Sequence, residues 1–376
     1  MALPYSDAIR DWVFNAAFPL WAERGLDRAH GGYVEQLTPE GQDAAVAFKR
    51  TRVTARQIYA FSHGYMLGFA AGQELAAHGV DFLTSKTWNG PDRGFARKLT
   101  REGGPLDPTP DLYDHAFVLF AFAWRYKATG DVTARDWMHR TLDYIETHMR
   151  VAGGEGFWHE LPVKGWRQQN PHMHLTEACL AAFEATGEAR FSSLAKELVG
   201  LFSTRFFDPA SRTLAEYYTE DLSRAPGEDG RVAEPGHQFE WAWILNSARK
   251  LLGTQHAPEI RALAAFAEQN GVDPGTGLTF NVLRDDGTPI DRGSRTWTNC
   301  ERIKAAIALS ELDGVDPAPV ITSSGRVLFM RYLAQSRGLW TDQVDANGRP
   351  VAGNAPASTF YHILLAFAEV LRVSGD

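Results

Sequence analysis

The chain has 376 residues, 44% of them hydrophobic, and a formal net charge of −8; this fits a globular protein with a sizeable core and argues against a nucleic-acid binder, whose contact face is basic. The two cysteines, Cys179 and Cys300, lie in apolar sequence, so both read as small buried hydrophobes and no disulfide framework is expected. No run of 18 apolar residues occurs, and the start lacks a basic stretch followed by an apolar one, so neither a membrane span nor a secretory signal is expected and a cytoplasmic location is.

Along the chain, a short glycine–aromatic signature opens as Gly31-Gly32-Tyr33-Val34-Glu35. It returns as Arg93-Gly94-Phe95-Ala96 and then as Gly156-Phe157-Trp158-His159-Glu160, with Gly32, Gly94 and Gly156 spaced 62 apart. A glycine-free copy, Thr213-Leu214-Ala215-Glu216-Tyr217, precedes Gly277-Leu278-Thr279-Phe280 and Gly338-Leu339-Trp340-Thr341-Asp342. Six periods of about 62 residues account for the chain. Between the signatures, residues 114–126, 174–185, 240–248, 301–312 and 361–371 are apolar nearly all round, as in helices buried on both sides. They alternate with amphipathic stretches such as 134–149 and 259–269. Each repeat therefore reads as one buried helix, one outer helix and a short hairpin. Such repeats stack into an open solenoid or close into a ring. The doubly apolar inner helices and the count of six favour closure. The expected fold is all-α: a single catalytic domain, 1–376, forming an (α/α)6 barrel with short β-hairpins at one mouth. Residues 219–234, rich in Asp, Glu, Arg, Pro and Gly, read as a mobile loop near the site.

Counting back from His362 by the period falls at or near Glu301, His237, His174 with Glu177, Tyr113-Asp114-His115, and Arg52 with Arg56 and Gln57. Ionisable groups inside apolar sequence are costly unless paired or functional, and a ring would bring these six places around one axis. Glu177 lies three residues after His174, and Glu240 three after His237. On a helix, that spacing lets a carboxylate hold the imidazole and raise its pKa. His172 and His174 point apart at i, i+2, and no carboxylate cluster of ligand spacing accompanies them, so no metal is expected. His115 reads as a satisfied core histidine; Tyr113 and Asp114 read equally as helix caps or as ligand contacts. Trp158, Trp241, Trp243, Trp297 and Trp340 sit near these positions, where an aromatic face can stack on a sugar ring; Trp243 reads as core.

Several blocks in order carry a resemblance: Arg52-Val53-Thr54-Ala55-Arg56-Gln57, Tyr113-Asp114-His115-Ala116-Phe117, Asn170-Pro171-His172-Met173-His174-Leu175-Thr176-Glu177-Ala178, Pro235-Gly236-His237-Gln238-Phe239-Glu240-Trp241 and Tyr361-His362. Over essentially its whole length the chain resembles the N-acylglucosamine 2-epimerase superfamily, and within it the mannose isomerase-like branch. The resemblance implies an (α/α)6 barrel and proton transfer at C2 of an aldose without metal or cofactor. It implies catalytic roles for His237 and His362, and ring opening and binding for His174. It places Arg52 and Tyr113 on sugar hydroxyls, and Glu177, Glu240 and Trp297 in the pocket wall. Asp114 and Asn170, in the same blocks, and Glu301, at its place in the repeat, are expected at the substrate too. Arg231 matches a further pocket arginine. The stretch Ala357-Ser358-Thr359-Phe360-Tyr361-His362 lacks the tryptophan that disaccharide-using members carry there, so a monosaccharide is the expected partner. The reaction implied is interconversion of D-mannose and D-fructose through a cis-enediol(ate). A monosaccharide 2-epimerase is the nearest alternative. Lys49, Arg50, Arg52 and Arg56 leave room for a sugar phosphate. A glycoside hydrolase would need two flanking carboxylates, for which Asp114, Glu177 and Glu240 are available, and a sugar-binding barrel without activity is the non-enzymatic alternative. No nucleic-acid or membrane partner is expected, and a homodimer is compatible with the sequence.

Overall fold

The computed structural model describes residues 3–334, 336–351 and 353–375. Its helices run in the order α1 Ser6–Trp12, α2 Phe18–Arg24, α3 Thr51–Met66, α4 Gly72–Phe82, α5 Leu112–Thr129, α6 Val132–Tyr144, α7 Gln169–Thr186, α8 Ala189–Leu201, α9 Pro235–Leu252, α10 Ala257–Gly271, α11 Thr296–Asp313, α12 Ala318–Val327 and α13 Phe360–Ser374. A wide π turn, Val13–Ala17, joins α1 and α2 into one rod. The same turn closes α4, α6, α8 and α12, while α10 runs to Gly271 without one.

Helices α3, α5, α7, α9, α11 and α13 pack each on the next, and α13 packs back on α3. That closes the ring. The rod α1–α2 and helices α4, α6, α8, α10 and α12 form the outer layer, each against its own inner helix or, for α1, against α13. Inner helices are buried on almost every side; α5 buries Leu112 and the whole of 114–123. This is why their sequences are apolar all round, whereas the outer helices keep a polar face. Five inner helices, α5, α7, α9, α11 and α13, stop on a left-handed glycine: Gly130, Gly187, Gly253, Gly314 and Gly375. The all-α barrel expected from the repeat is the fold observed, and both cysteines are buried and unpaired.

The strands are short and pair in two- and three-stranded patches beside the starts of inner helices. The glycine of each signature takes a left-handed conformation: φ is 65° at Gly32, 62° at Gly94, 67° at Gly156, 77° at Gly277 and 85° at Gly338. In the glycine-free copy Arg212 does the same, with φ 60°. At Gly94 a Cβ would lie 2.5 Å from His115 Nε2, so only glycine fits that approach.

That contact shows what His115 does. Its Nε2 accepts the Phe95 amide at 3.0 Å, and its Nδ1 meets the Asp111 carbonyl. His172 Nε2 accepts the Phe157 amide at 3.0 Å; Gln238 and Asn299 accept those of Leu214 and Thr279 at 3.1 Å each. All four acceptors occupy the fourth position of an inner helix and tie it to a hairpin. His115 is thus the satisfied core histidine its sequence suggested, and His172 belongs to the wall. Residues 219–234 are more regular than the mobile loop expected of them. They carry a 3-10 turn, Asp229–Arg231, and the strand Val232–Ala233. Arg224 and Arg231 pair with Asp285, and Arg231 also with Asp286.

Candidate active site

Because the six inner helices point the same way, equivalent positions converge. The second residues are Arg52, Tyr113, Asn170, Gly236, Trp297 and Tyr361; the sixth are Arg56, Phe117, His174, Glu240, Glu301 and Leu365. Residues four apart share a helix face, and members of both rows reach the barrel axis. They line a cavity of about 640 Å³ at the mouth where these helices begin. Its walls are Arg56, Tyr113, Asn170, His174, His237, Glu240, Trp297 and His362, with Gln36, Arg50, Glu234, Arg295, Asp342, Asn354 and Thr359 from the loops. The volume is in the usual range for a small-molecule site, about 300–1,000 Å³.

Of the residues expected from sequence, His174, His237, His362, Tyr113, Asn170, Glu240 and Trp297 line the cavity. Arg52, Asp114, Glu177 and Glu301 stand one layer behind. Arg52 Nε pairs with Asp114 Oδ1 at 3.0 Å, and Asp114 is fully buried. The guanidinium that reaches the cavity from α3 is Arg56, whose Nη2 donates to the Tyr113 hydroxyl and Nη1 to the Ser358 carbonyl. Arg231 is spent on Asp285 and Asp286, away from the lining. Among the five tryptophans singled out, only Trp297 lines this cavity. Trp241 is fully buried and donates to Gln169, and Trp340 stacks on Trp21. Trp297 lies between the two histidines, its ring 5.1 Å from that of His237 and 5.5 Å from that of His362. Gly236 makes room for it: a Cβ there would sit 2.4 Å from the Trp297 ring.

Each cavity histidine turns Nδ1 to a carboxylate. His174 Nδ1 lies 3.1 Å from Glu177 Oε2, as the spacing predicts. His362 Nδ1 lies 2.7 Å from Glu301 Oε1. For His237 the expected partner was Glu240, three residues on; the observed ones are Glu216 Oε2 at 3.0 Å and Glu234 Oε2 at 3.6 Å. The helix begins at Pro235, so Glu234, just outside it, folds back instead, and Glu216 arrives from a hairpin. Sequence reasoning missed Glu216, although a signal was present. The signature ends in an acid in four of its six copies, Glu35, Glu160, Glu216 and Asp342; three of them meet a residue at or near a helix start, Arg50, His237 and Thr359, and Glu160 pairs with Arg97.

The charge states differ accordingly. Burial alone would lower the His237 pKa, but the Glu216 and Glu234 carboxylates raise it to about 10, so this ring is an imidazolium at neutral pH. Burial lowers the His362 pKa well below the ordinary value, and the nearby charges of Arg56 and Lys304 add to the effect. Burial works against the Glu177 charge, but His174, Lys304 and the Tyr361 hydroxyl hold its carboxyl below the ordinary value. Both Glu240 carboxylate oxygens and Asn170 Oδ1 are buried without a hydrogen-bond partner among the described residues. Buried acceptors in a cavity wall are places for a ligand's hydroxyl groups.

Three groups bring ligand atoms within 4.8 Å of one another: His174, Glu177 and Glu240; Glu216, Glu234 and His237; and Glu240, Glu301 and His362. The carboxylate clusters that linear spacing did not show are therefore present in space. In each, an imidazole Nδ1 already meets a carboxylate, the arrangement that fixes a histidine's tautomer and orientation. The donor sets fit a cation as well as a proton.

The chain matches the N-acylglucosamine 2-epimerase (GlcNAc 2-epimerase) family over residues 31–366. It is 35% identical over 371 residues to a mannose-6-phosphate isomerase of Rhizobium meliloti (strain 1021), covering 96% of this chain and 95% of that one. It is 24% identical over 307 residues to a cellobiose 2-epimerase of Bacteroides fragilis, covering 76% of each. A crystal structure of a D-mannose isomerase superposes with a TM-score of 0.90 at 22% identity, covering 99% of this chain and 100% of that one. The inward histidines, the six-fold ring and these matches together place the chain in the N-acylglucosamine 2-epimerase family.

Proposed function

We propose that the chain is an aldose–ketose isomerase that interconverts D-mannose and D-fructose by histidine acid–base chemistry, without a metal. The observation that carries this reading is the placement of two imidazoles, His237 and His362, on either side of Trp297 in one cavity, each with its Nδ1 on a carboxylate. His174, oriented by Glu177, assists opening of the pyranose. His362 Nε2 then removes the C2 proton of the open aldehyde while the His237 imidazolium gives its proton to O1. The product is a cis-enediol. Return of a proton to C1, with loss of the O2 proton, gives the ketose; delivery to the opposite face of C2, with loss of the O1 proton, gives the epimer. Arg56, Asn170, Glu240 and Trp297 hold the sugar. Groups acting this way are worth about 10²–10⁴-fold each.

The test is NMR of D-mannose with enzyme in D2O. Fructose deuterated at C1 is expected, with activity unchanged after chelator treatment and lost by at least about 10²-fold in His237→Gln and His362→Gln. Glucose as the main product would replace the reading with a 2-epimerase, and recovery of chelated activity by added cation would overturn the metal-free step. A second reading, a phosphorylated hexose, is favoured by the mannose-6-phosphate isomerase relative and by the exposed Arg295 side chain at the cavity mouth. A kcat/KM for D-mannose 6-phosphate at least about tenfold above that for D-mannose would select it.

A further inference from the structure

Lys304 is fully buried on α11, three residues after Glu301. Its Nζ lies 2.6 Å from Glu301 Oε2, 4.3 Å over the Trp243 ring and 6.0 Å from that of Tyr361. A lysine without solvent is kept charged only by strong compensation. Here it comes from Glu301, Glu240 and Glu177, which outweigh the burial that opposes its charge. The other titratable or charged groups facing this cluster are Arg56 and Tyr59 on α3, His174 on α7, His237 on α9, and Tyr361 and His362 on α13.

We propose that Lys304 is a positioning residue that compensates the Glu301 charge and so keeps the His362 Nε2 lone pair free for the substrate; this rests on reading His362 as the base. Glu301 Oε1 takes His362 Nδ1 at 2.7 Å, and Glu301 Oε2 takes Lys304. With the lysine in place, the carboxylate stays ionised, accepts the Nδ1 proton, and leaves Nε2 bare toward the cavity. Burial and the Glu240 charge push the Glu301 carboxyl upward, and Lys304 opposes that push. Without the ammonium, three buried carboxylates keep only Arg56 and the His237 imidazolium, itself paired with Glu216 and Glu234, and the Glu301–His362 pair takes up a proton. If the proton sits on Glu301, the acid donates to Nδ1 and the ring carries its own proton on Nε2. If it sits on His362, the ring is an imidazolium. The base is lost in both cases.

The variants are K304M, K304R and E301Q/K304M, and the readouts are the NMR titration of His362 in the resting protein and the pH profile of kcat/KM. In K304M the His362 titration and the acid limb of the profile should both move up by at least about one pH unit. In E301Q/K304M, where the amide oxygen can still accept Nδ1–H, the titration should return toward wild type. K304R should titrate like wild type. An unchanged His362 titration in K304M, or no return in the double variant, would overturn the proposal. If K304M does not fold, a folded double variant with a wild-type titration supports it. A double variant that also fails to fold overturns it, since the lysine is then needed for packing rather than charge. The titration does not depend on turnover. A shifted titration in an enzyme inactive on aldoses would therefore reject the reaction and keep the role of Lys304.

Discussion

His237 and His362 share a cavity but not a proton state, because what stands behind each ring differs. His237 has two carboxylates, Glu216 and Glu234, at its Nδ1. His362 has one, Glu301, already occupied by Lys304. The folded-state pKa of His237 is raised, so the ring keeps its proton until the pH nears about 10. As the proposed acid, it would set the alkaline limb of the profile. Replacing Glu216 with Gln removes an anion beside a cation and must lower that pKa. The expected result is an alkaline limb of kcat/KM displaced to lower pH by about one unit or more, with the acid limb unmoved. A variant whose whole profile falls by one factor at every pH would show that Glu216 only braces the hairpin. Linkage gives the same sign for stability. The contribution of the His237 ion pair is complete below the unfolded histidine pKa and fades as pH rises toward about 10. Glu216 is 21 residues from His237, beyond any helical spacing, so a search for partners at i+3 finds Glu240 and stops there.

At the scale of the element, the hairpin is the conserved geometry and its glycine is the usual way to reach it. Five copies use glycine at positive φ, and the fourth uses Arg212 at φ 60° with an exposed side chain. A non-glycine residue in that region costs about 1–2 kcal/mol, and glycine gives back about 0.5–1 kcal/mol through the unfolded chain. Arg212→Gly should therefore stabilise the protein by about 0.5–1 kcal/mol. Urea unfolding should show a higher midpoint at unchanged slope; a lower midpoint would mean that the arginine makes a stabilising contact. The six-fold repeat was legible because each copy needs the same turn, and the inner helices were legible because both their faces are buried. Their starts were not. Sequence patterning began α9 at 240 and α11 at 301, but they begin at Pro235 and Thr296. The missing first turns are the polar ones, carrying Gly236, His237 and Trp297, because they line the mouth. Hydrophobic pattern fails where the chain serves a site rather than a core.

At the scale of the molecule, the ring joins the first and last repeats at the site itself. Gln57 Nε2 donates to the Ala357 carbonyl at 2.8 Å, and Arg56 Nη1 to that of Ser358 at 3.2 Å. Leu37 pairs with Ala355 in a two-stranded patch, and the Leu3 amide reaches Ser374 Oγ. Helix α13 packs on α3, α11 and α1, and it carries His362. In an open solenoid, losing a terminal unit removes one interface and leaves the rest folded. Here, losing α13 would uncover α1 and the flanks of α3 and α11, whose residues are buried nearly throughout. Apolar flanks of that size have no other cover. A chain ending at Thr359 should therefore fail as a whole: low solubility, strong binding of a hydrophobic dye, and no cooperative urea transition, against a single transition for the full chain. A soluble truncated chain with a sharp transition of its own would make the barrel a stack of independent repeats.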